Sequence, residues 1–420
     1  MIGMTNLNPW RTGLISFLSL TALITLAGLF LLRPTTPPSE HTSPDFSTTY
    51  ALNHPQVEGT VETVDNHLCS DPHTGRAFDE APLIPAEGDD TSCSRALIDL
   101  TSGADAGRKT QLVFYGVASD PTLHPGDEVI LTVSSDGTYA FADFQRNGNL
   151  ALWAIIAALV IVGFAAWHGL RALVGLVISL AIVFFYLIPS LIEGHSALPL
   201  ALVTCAAILF LAVPLVHGVN WKSASALGGA LVALALSGAL GWASISSTAL
   251  TGSSSEDNLK LLLYMPGVPV VGVLLCGFIV GALGSLNDIA VAQASTVREL
   301  HAADPAAGPG ALFMSAMKVG RDHIASMVYT IVLTYTGAAL PLLMLITAAQ
   351  RPALQILSSD LVATEVLRSL LGAMALTLAV PLTTAIAAFT VPEGRDQAPR
   401  RSSQPLSLIH ISEPTRRYAI

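Results

Sequence analysis

Over most of its length the chain alternates long apolar blocks with short polar breaks. A block of about 20 mostly apolar residues can cross the ~30 Å hydrocarbon layer of a bilayer as a helix. Such blocks run from Gly13 to Leu32 and then over 150–167, 170–188, 197–216, 223–243, 267–286, 324–347 and 369–390. The pattern predicts a polytopic α-helical membrane protein of about eight spans. Only a tight hairpin at His168-Gly169-Leu170-Arg171 separates the second block from the third. The first block ends in Leu29-Phe30-Leu31-Leu32 and runs into Arg33-Pro34, without the small-residue cleavage site of a secretory signal. Residues 1–33 therefore read as an uncleaved anchor.

Residues 34–149 follow a different period. Val57, Gly59, Val61 and Thr63 alternate with Glu58, Thr60, Glu62 and Val64, roughly as a half-buried strand does. Further short runs lie at Arg95–Leu100, Gln111–Tyr115, Glu128–Val133 and Tyr139–Phe144. Turn chemistry stands between them at Pro125-Gly126-Asp127 and Ser135-Asp136-Gly137. Short strands at this spacing predict a small β-barrel or sandwich-like domain, and Pro-Gly-Asp ahead of a strand resembles small OB-like barrels. The map then reads 34–149 as that domain, 150–391 as a seven-span membrane domain and 392–420 as a disordered tail.

Composition sharpens this picture. Of 420 residues, 52% are hydrophobic and 12% charged, against about 25% charged in soluble domains. A net charge of −10 argues against a nucleic-acid partner. The acid is concentrated: residues 34–149 hold 18 Asp and Glu against five Lys and Arg. Placing the N-terminus inside puts Arg11, Arg171, Lys222, Arg298, Lys318, Arg321, Arg395, Arg400 and Arg401 on the cytoplasmic side. The short outer loops then carry only Lys260, Arg351 and Arg368. The positive-inside rule therefore predicts both termini in the cytoplasm and 34–149 outside it.

Candidate chemistry gathers at 277–334. At helical spacing, Gly277, Gly281, Gly284 and Asp288 share a face that continues through Ala292, Ser295 and Glu299. Glycines at four-residue spacing let helices approach closely, so Gly277, Gly281 and Gly284 are read as a helix-packing face. The segment Asp304 to Gly310 must break this helix, and 311–321 reads as a short interfacial helix. Arg321-Asp322-His323 then opens the next span, where Thr330 and Thr334 extend a polar stripe towards a kink at Pro341. Ionisable groups at membrane depth are functional candidates by default. Asp288, Arg321, Asp322, His323, Thr330 and Thr334 thus form a candidate transport or ion site, with Asp288 and His323 as a titrating pair. The plainer alternatives are headgroup anchoring for Arg321 and Asp322, a fold-fixing ion pair for Asp288, and back-bonding of the threonines to their own helices.

Cys69 and Cys93 are the two cysteines of the outer domain, and an oxidising compartment favours a disulfide between them. The alternative is metal binding by His67, Cys69, Asp71 and His73, four ligand types at alternate positions. Two unpaired thiols are the third option. Phosphate-loop, His-Glu-x-x-His and Gly-x-Ser-x-Gly motifs are missing from the sequence, so no enzymatic activity and no cofactor are expected.

Gly281-Ala282-Leu283-Gly284, Asp288, Gln293-Ala294-Ser295, Arg298-Glu299-Leu300, Val319-Gly320-Arg321-Asp322-His323-Ile324 and Pro381-Leu382-Thr383-Thr384 together resemble the YibE/F-like family of bacterial multispanning membrane proteins. The resemblance covers about residues 125–391 and implies a bacterial plasma-membrane location, without implying an activity. Related sequences commonly carry an acid just before the Asp288 position; Asn287 stands there in this chain, which weakens any paired-carboxylate role. Leu406 to Arg416 resembles translated sequencing-adaptor sequence, so 406–420 are set aside as artefactual. The expectation is a transporter or permease for a small solute or ion, embedded in the lipid bilayer, alone, as a homo-oligomer or with a membrane partner. The alternative is a non-transporting assembly or signalling protein whose outer domain binds a partner.

Overall fold

The computed structural model describes residues 8–50, 53–66, 69, 73–79, 93–349 and 351–391. The sequence readings of 392–420, His67 and Asp71 lie outside the described residues. Helix α1 spans Pro9–Leu31, and the four-residue α2, Phe46–Thr49, lies in the connection to the sheet. Five strands follow: β1 Gln56–Asp65, β2 Ser94–Leu100, β3 Lys109–Phe114, β4 Glu128–Val133 and β5 Tyr139–Phe144. They match the predicted runs to within two residues at each end.

All pairings are antiparallel, in the order β3-β2-β1-β4-β5, so β1 sits at the centre. On β1 the inward positions Val57, Gly59 and Val61 are buried, and a register shift after Val61 bends the strand. A bulge of this kind increases local twist, which curls the sheet. The inner face packs Val61, Ala96, Ile98, Leu100, Val129 and Leu131, each at most 2% exposed. The curl brings the two edges towards each other, with the Phe114 and Phe141 rings 6.3 Å apart. Gly75 then laces the gap: its N–H donates to the Gln111 carbonyl (2.8 Å) and its carbonyl accepts from Tyr139 N–H (2.6 Å). Gly75 has φ +72, and a Cβ there would lie 2.7 Å from Thr138 and 2.9 Å from the Tyr139 carbonyl, so only glycine fits. The result is a curled five-stranded antiparallel sheet whose two edge strands are tied together through Gly75. Tyr139 Oη donates to Asp105 Oδ2 at 2.6 Å. Burial, and then that carboxylate, push the phenol up to about 12.

The helical part consists of α3 Asn147–Ile182, a π-helical turn Val183–Leu187, α4 Ile188–Ile192, α5 Ala197–His217, α6 Trp221–Thr248, α7 Glu256–Tyr264, α8 Val270–Ala303, α9 Pro309–Ala338, α10 Leu340–Ala348, α11 Ala353–Leu357 and α12 Asp360–Thr390. Among the described residues six helices are long and apolar enough to cross a membrane, or seven if the bent pair α9–α10 counts as one. The two blocks predicted at 150–167 and 170–188 form one helical stretch of 46 residues, Asn147–Ile192. That stretch is broken at Ala166, with φ 47 and ψ −128. Beyond the break a Cβ on Gly169 would lie 2.6 Å from the Ile161 carbonyl, so the chain doubles back there.

A second difference concerns 311–347. The expected interfacial helix and the span after it are a single helix, α9, because nothing between Gly310 and Ala338 interrupts helical hydrogen bonding. The break comes later, at Ala339, where α9 and α10 diverge by 66°. Pro341 explains its place, since it has no N–H for the Gly337 carbonyl. The predicted stop at 304–310 is present: Asp304 ends α8, accepting from Ala306 N–H at 3.1 Å, and Gly308 precedes α9.

Helix α12 lies against α6, α8 and α9, while α5 and α1 pack outside them. Arg11 fastens α1 to the end of α12, donating from Nε to the Thr390 carbonyl (2.8 Å) and from Nη2 to the Val391 carbonyl (3.3 Å). A guanidinium there satisfies orphan carbonyls and opposes the negative end of the helix dipole. The opposite end of the bundle carries its own ties. Glu193 accepts from Thr35, Ser43 N–H donates to the Tyr264 carbonyl (2.7 Å), and the Tyr264 ring packs against the stacked rings of Phe46 and Tyr50. Asp360 accepts from Thr251 N–H (2.9 Å) and Ser254 Oγ.

Candidate functional site

Helix α8 has two unlike faces. Leu275, Ile279, Ala282, Leu286, Ile289, Gln293 and Val297 are buried in the bundle. On the other side Gly277, Gly281, Gly284 and Asp288 are exposed. A Cβ built on Gly277 or Gly284 meets nothing within 4 Å, and one on Gly281 meets only the Tyr335 hydroxyl of α9, at 2.8 Å. The glycine face expected to pack is therefore open at Gly277 and Gly284 and meets a neighbouring helix at Gly281. The physical reason is area: burying Leu, Ile and Phe removes far more apolar surface than burying bare glycine.

Asp288 lies on this exposed face. Among the described residues no hydrogen bond or ion pair joins it to His323, Arg298 or Arg321. His323 is half-buried on α9, with Nδ1 enclosed and without a partner. No direct bond joins the pair inferred from the sequence. Arg321 and Asp322 are exposed on α9. Thr330 Oγ1 donates to the Ser326 carbonyl (3.3 Å) and Thr334 Oγ1 to the Thr330 carbonyl (2.7 Å), so both follow the back-bonding alternative.

A second polar feature lies in the interior, at residues that the sequence reading quoted for the family resemblance but did not place in the candidate site. Gln293 of α8 and Thr383 and Thr384 of α12 are each 0% exposed. Thr384 Oγ1 lies 2.6 Å from the Val380 carbonyl and 2.9 Å from Gln293 Oε1. A hydroxyl carries one proton, and the shorter contact takes it. Turning the Gln293 amide end for end then lets Nε2 donate to Thr384 and leaves Oε1 as a bare acceptor. Thr383 Oγ1 also has no partner. Two glycines make this seam possible. A Cβ on Gly229 of α6 would lie 2.7 Å from Thr383 Cα, and one on Gly320 of α9 would lie 2.6 Å from Val380 and 3.1 Å from Gln293 Nε2. One signal was available: Gln293 continues the inward apolar spacing Ile279, Ala282, Leu286, Ile289. Nearly two turns further along α12, towards the Arg11 end, Ser225 Oγ and Thr390 Oγ1 lie 2.7 Å apart and are buried.

In the domain that carries the sheet, Cys69 and Cys93 form a disulfide, with Cα atoms 5.6 Å apart. Cys69 is thereby withdrawn from the alternative ligand set with His67, Asp71 and His73. Among the described residues no three His, Cys, Asp or Glu side chains group as a metal site.

Six or seven long apolar helices and a separate curled antiparallel sheet fit a multi-pass membrane protein. The sequence profile described as YibE/F-like protein matches residues 153–393, more than half of the chain, and the protein belongs to that family. No curated protein and no solved structure matches the chain.

Proposed function

We propose that the protein is a permease of the bacterial plasma membrane whose working surface is the open groove of α8, with Asp288 as the group that takes up and releases a proton or a small cation. The carrying observation is an unpaired carboxylate on a bare helix face. A lone carboxylate in hydrocarbon is costly, so such a face belongs beside water or a passing solute. Tyr335, its hydroxyl against Gly281, narrows the groove part-way along. His323, Arg321 and Asp322 stand nearer the inner end as auxiliary charges rather than as direct partners of Asp288.

Eight crossings, with both termini in the cytoplasm and 34–149 outside, complete this reading. It draws support from the turn at Ala166, from Gly175 lying against Leu215 and Val216, and from Glu193 meeting Thr35 at the other end. Purified protein in proteoliposomes on a solid-supported membrane is expected to pass charge when a proton or sodium gradient is imposed. Asp288→Asn is expected to abolish the current at unchanged incorporation. Absence of current with both gradients, or an unaltered current in Asp288→Asn, overturns the assignment.

One observation favours the second reading, an assembly or signalling protein. The connection to the outer sheet rests on α7 through Ser43, Phe46, Thr49 and Tyr50, so a partner bound outside has a mechanical route into the bundle. Loss of partner capture on deletion of 40–145, in a protein that passes no charge under either gradient, selects this reading.

A further inference from the structure

Where α9 breaks into α10, the bend opens a cleft of about 240 Å³ against α12. Its walls are unlike. Leu342, Leu343 and Leu370 form an apolar slot, and Glu365, Ser369 and Thr336 supply polar groups. Arg368 stands beside Glu365 with Nη1 3.1 Å from Oε1, and its guanidinium lies over the Phe278 ring at 5.8 Å. Depth is fixed by the helix itself. Asp360, tied to Thr251 and Ser254, marks the outer end of α12, so Glu365 lies about 7 Å and Ser369 about 13 Å further in, at 1.5 Å per residue. Those depths fall just below the headgroups and within the first part of the acyl chains.

We propose that this cleft is a binding site for one amine-bearing zwitterionic phospholipid of the outer leaflet. The proposal rests on the multi-pass reading above but not on transport. An alkyl chain fills the leucine slot. The primary ammonium donates hydrogen bonds to Glu365, with the Ser369 and Thr336 hydroxyls alongside, and Arg368, paired with Glu365, offers its guanidinium to the phosphate. A carboxylate and a guanidinium side by side match a headgroup that carries both charges. They disfavour a purely anionic head, which meets Glu365, and a quaternary ammonium, which has no N–H to give.

The test uses the full chain, purified in detergent and titrated by native mass spectrometry with dioleoyl phosphatidylethanolamine, phosphatidylcholine and phosphatidylglycerol. The expected result is one ethanolamine lipid bound about tenfold more tightly than either of the others, the worth of one charge-assisted hydrogen bond. Glu365→Gln with Arg368→Gln keeps the local charge at zero and is expected to level the three affinities. Ala339→Phe, which fills the slot, is expected to remove the single tight site for all three. Equal binding by the unaltered protein, or discrimination that survives the double substitution in a monodisperse sample, overturns the proposal. Sedimentation of the chain with membranes checks the multi-pass reading separately, so failure of the two is distinguishable.

Discussion

Two glycine-bearing surfaces of this bundle behave in opposite ways. Gly229 and Gly320 are buried where α6 and α9 press against α12, and a methyl group at either would overlap Thr383 or Val380. Gly277 and Gly284 of α8 face open space. The first pair uses the missing side chain to bring backbones together around Gln293, Thr383 and Thr384. The second leaves a bare helix wall beside Asp288. The same residue type thus serves as a packing device in one place and clears a groove in the other. What decides between them is the neighbour across the gap, not the spacing of the glycines.

The largest expected effect comes from filling the closed seam. Gly229→Val places a branched side chain where even a lone Cβ would lie 2.7 Å from Thr383 Cα, so α6 and α12 must separate. Overpacking of this kind costs about 1–3 kcal/mol or more. Thermal scanning of the purified protein is expected to show a lowered midpoint, and an unchanged midpoint removes the case for a tight seam. Gln293→Met is next. The variant keeps the volume, and Thr384 still donates to the Val380 carbonyl, so the expected stability change is under about 1.5 kcal/mol. A larger loss would show that the buried amide holds the three helices together by more than its single hydrogen bond.

The contrast also explains what could be read from sequence. The apolar blocks were legible because a helix able to cross a bilayer needs about 20 mostly apolar residues in a row, and the strands because one-sided burial imposes a period of 2. The end of α8 was legible because Asp304 to Gly310 combines prolines and glycines. The facing of α8 was not. Its glycine stripe and its leucine stripe both satisfy a helical period, and choosing between them needs the positions of α6, α9 and α12. The continuity of α9 through Arg321-Asp322-His323 is hidden because a run of charge resembles a boundary, whereas a helix stops only where hydrogen bonding stops. Gly320 looks ordinary in sequence; its importance comes from Gln293 and Val380, which are brought to it by chain far away in number.

Asp288→Asn sharpens the open side. The carboxylate has no ionic or hydrogen-bonded partner among the described residues, so stability is expected to change by less than about 0.5 kcal/mol, as for surface substitutions. Charge movement in proteoliposomes is expected to disappear. A marked loss of thermal stability would instead place Asp288 in a structural contact with another molecule and weaken the groove reading.

The effect whose sign matters most is that of Gly284→Ala. A methyl group there meets nothing within 4 Å. In an exposed helix interior alanine is favoured over glycine by about 1 kcal/mol, so the midpoint is expected to rise slightly or stay level. Gly229→Ala, with the same change in composition, is expected to lower it. If Gly284→Ala also lowers the midpoint, and does so more steeply as the protein is concentrated, the groove is covered by a second copy of the chain in solution. The close approach would then be intermolecular, Asp288 would lie in an interface, and the two glycine surfaces would share one purpose after all.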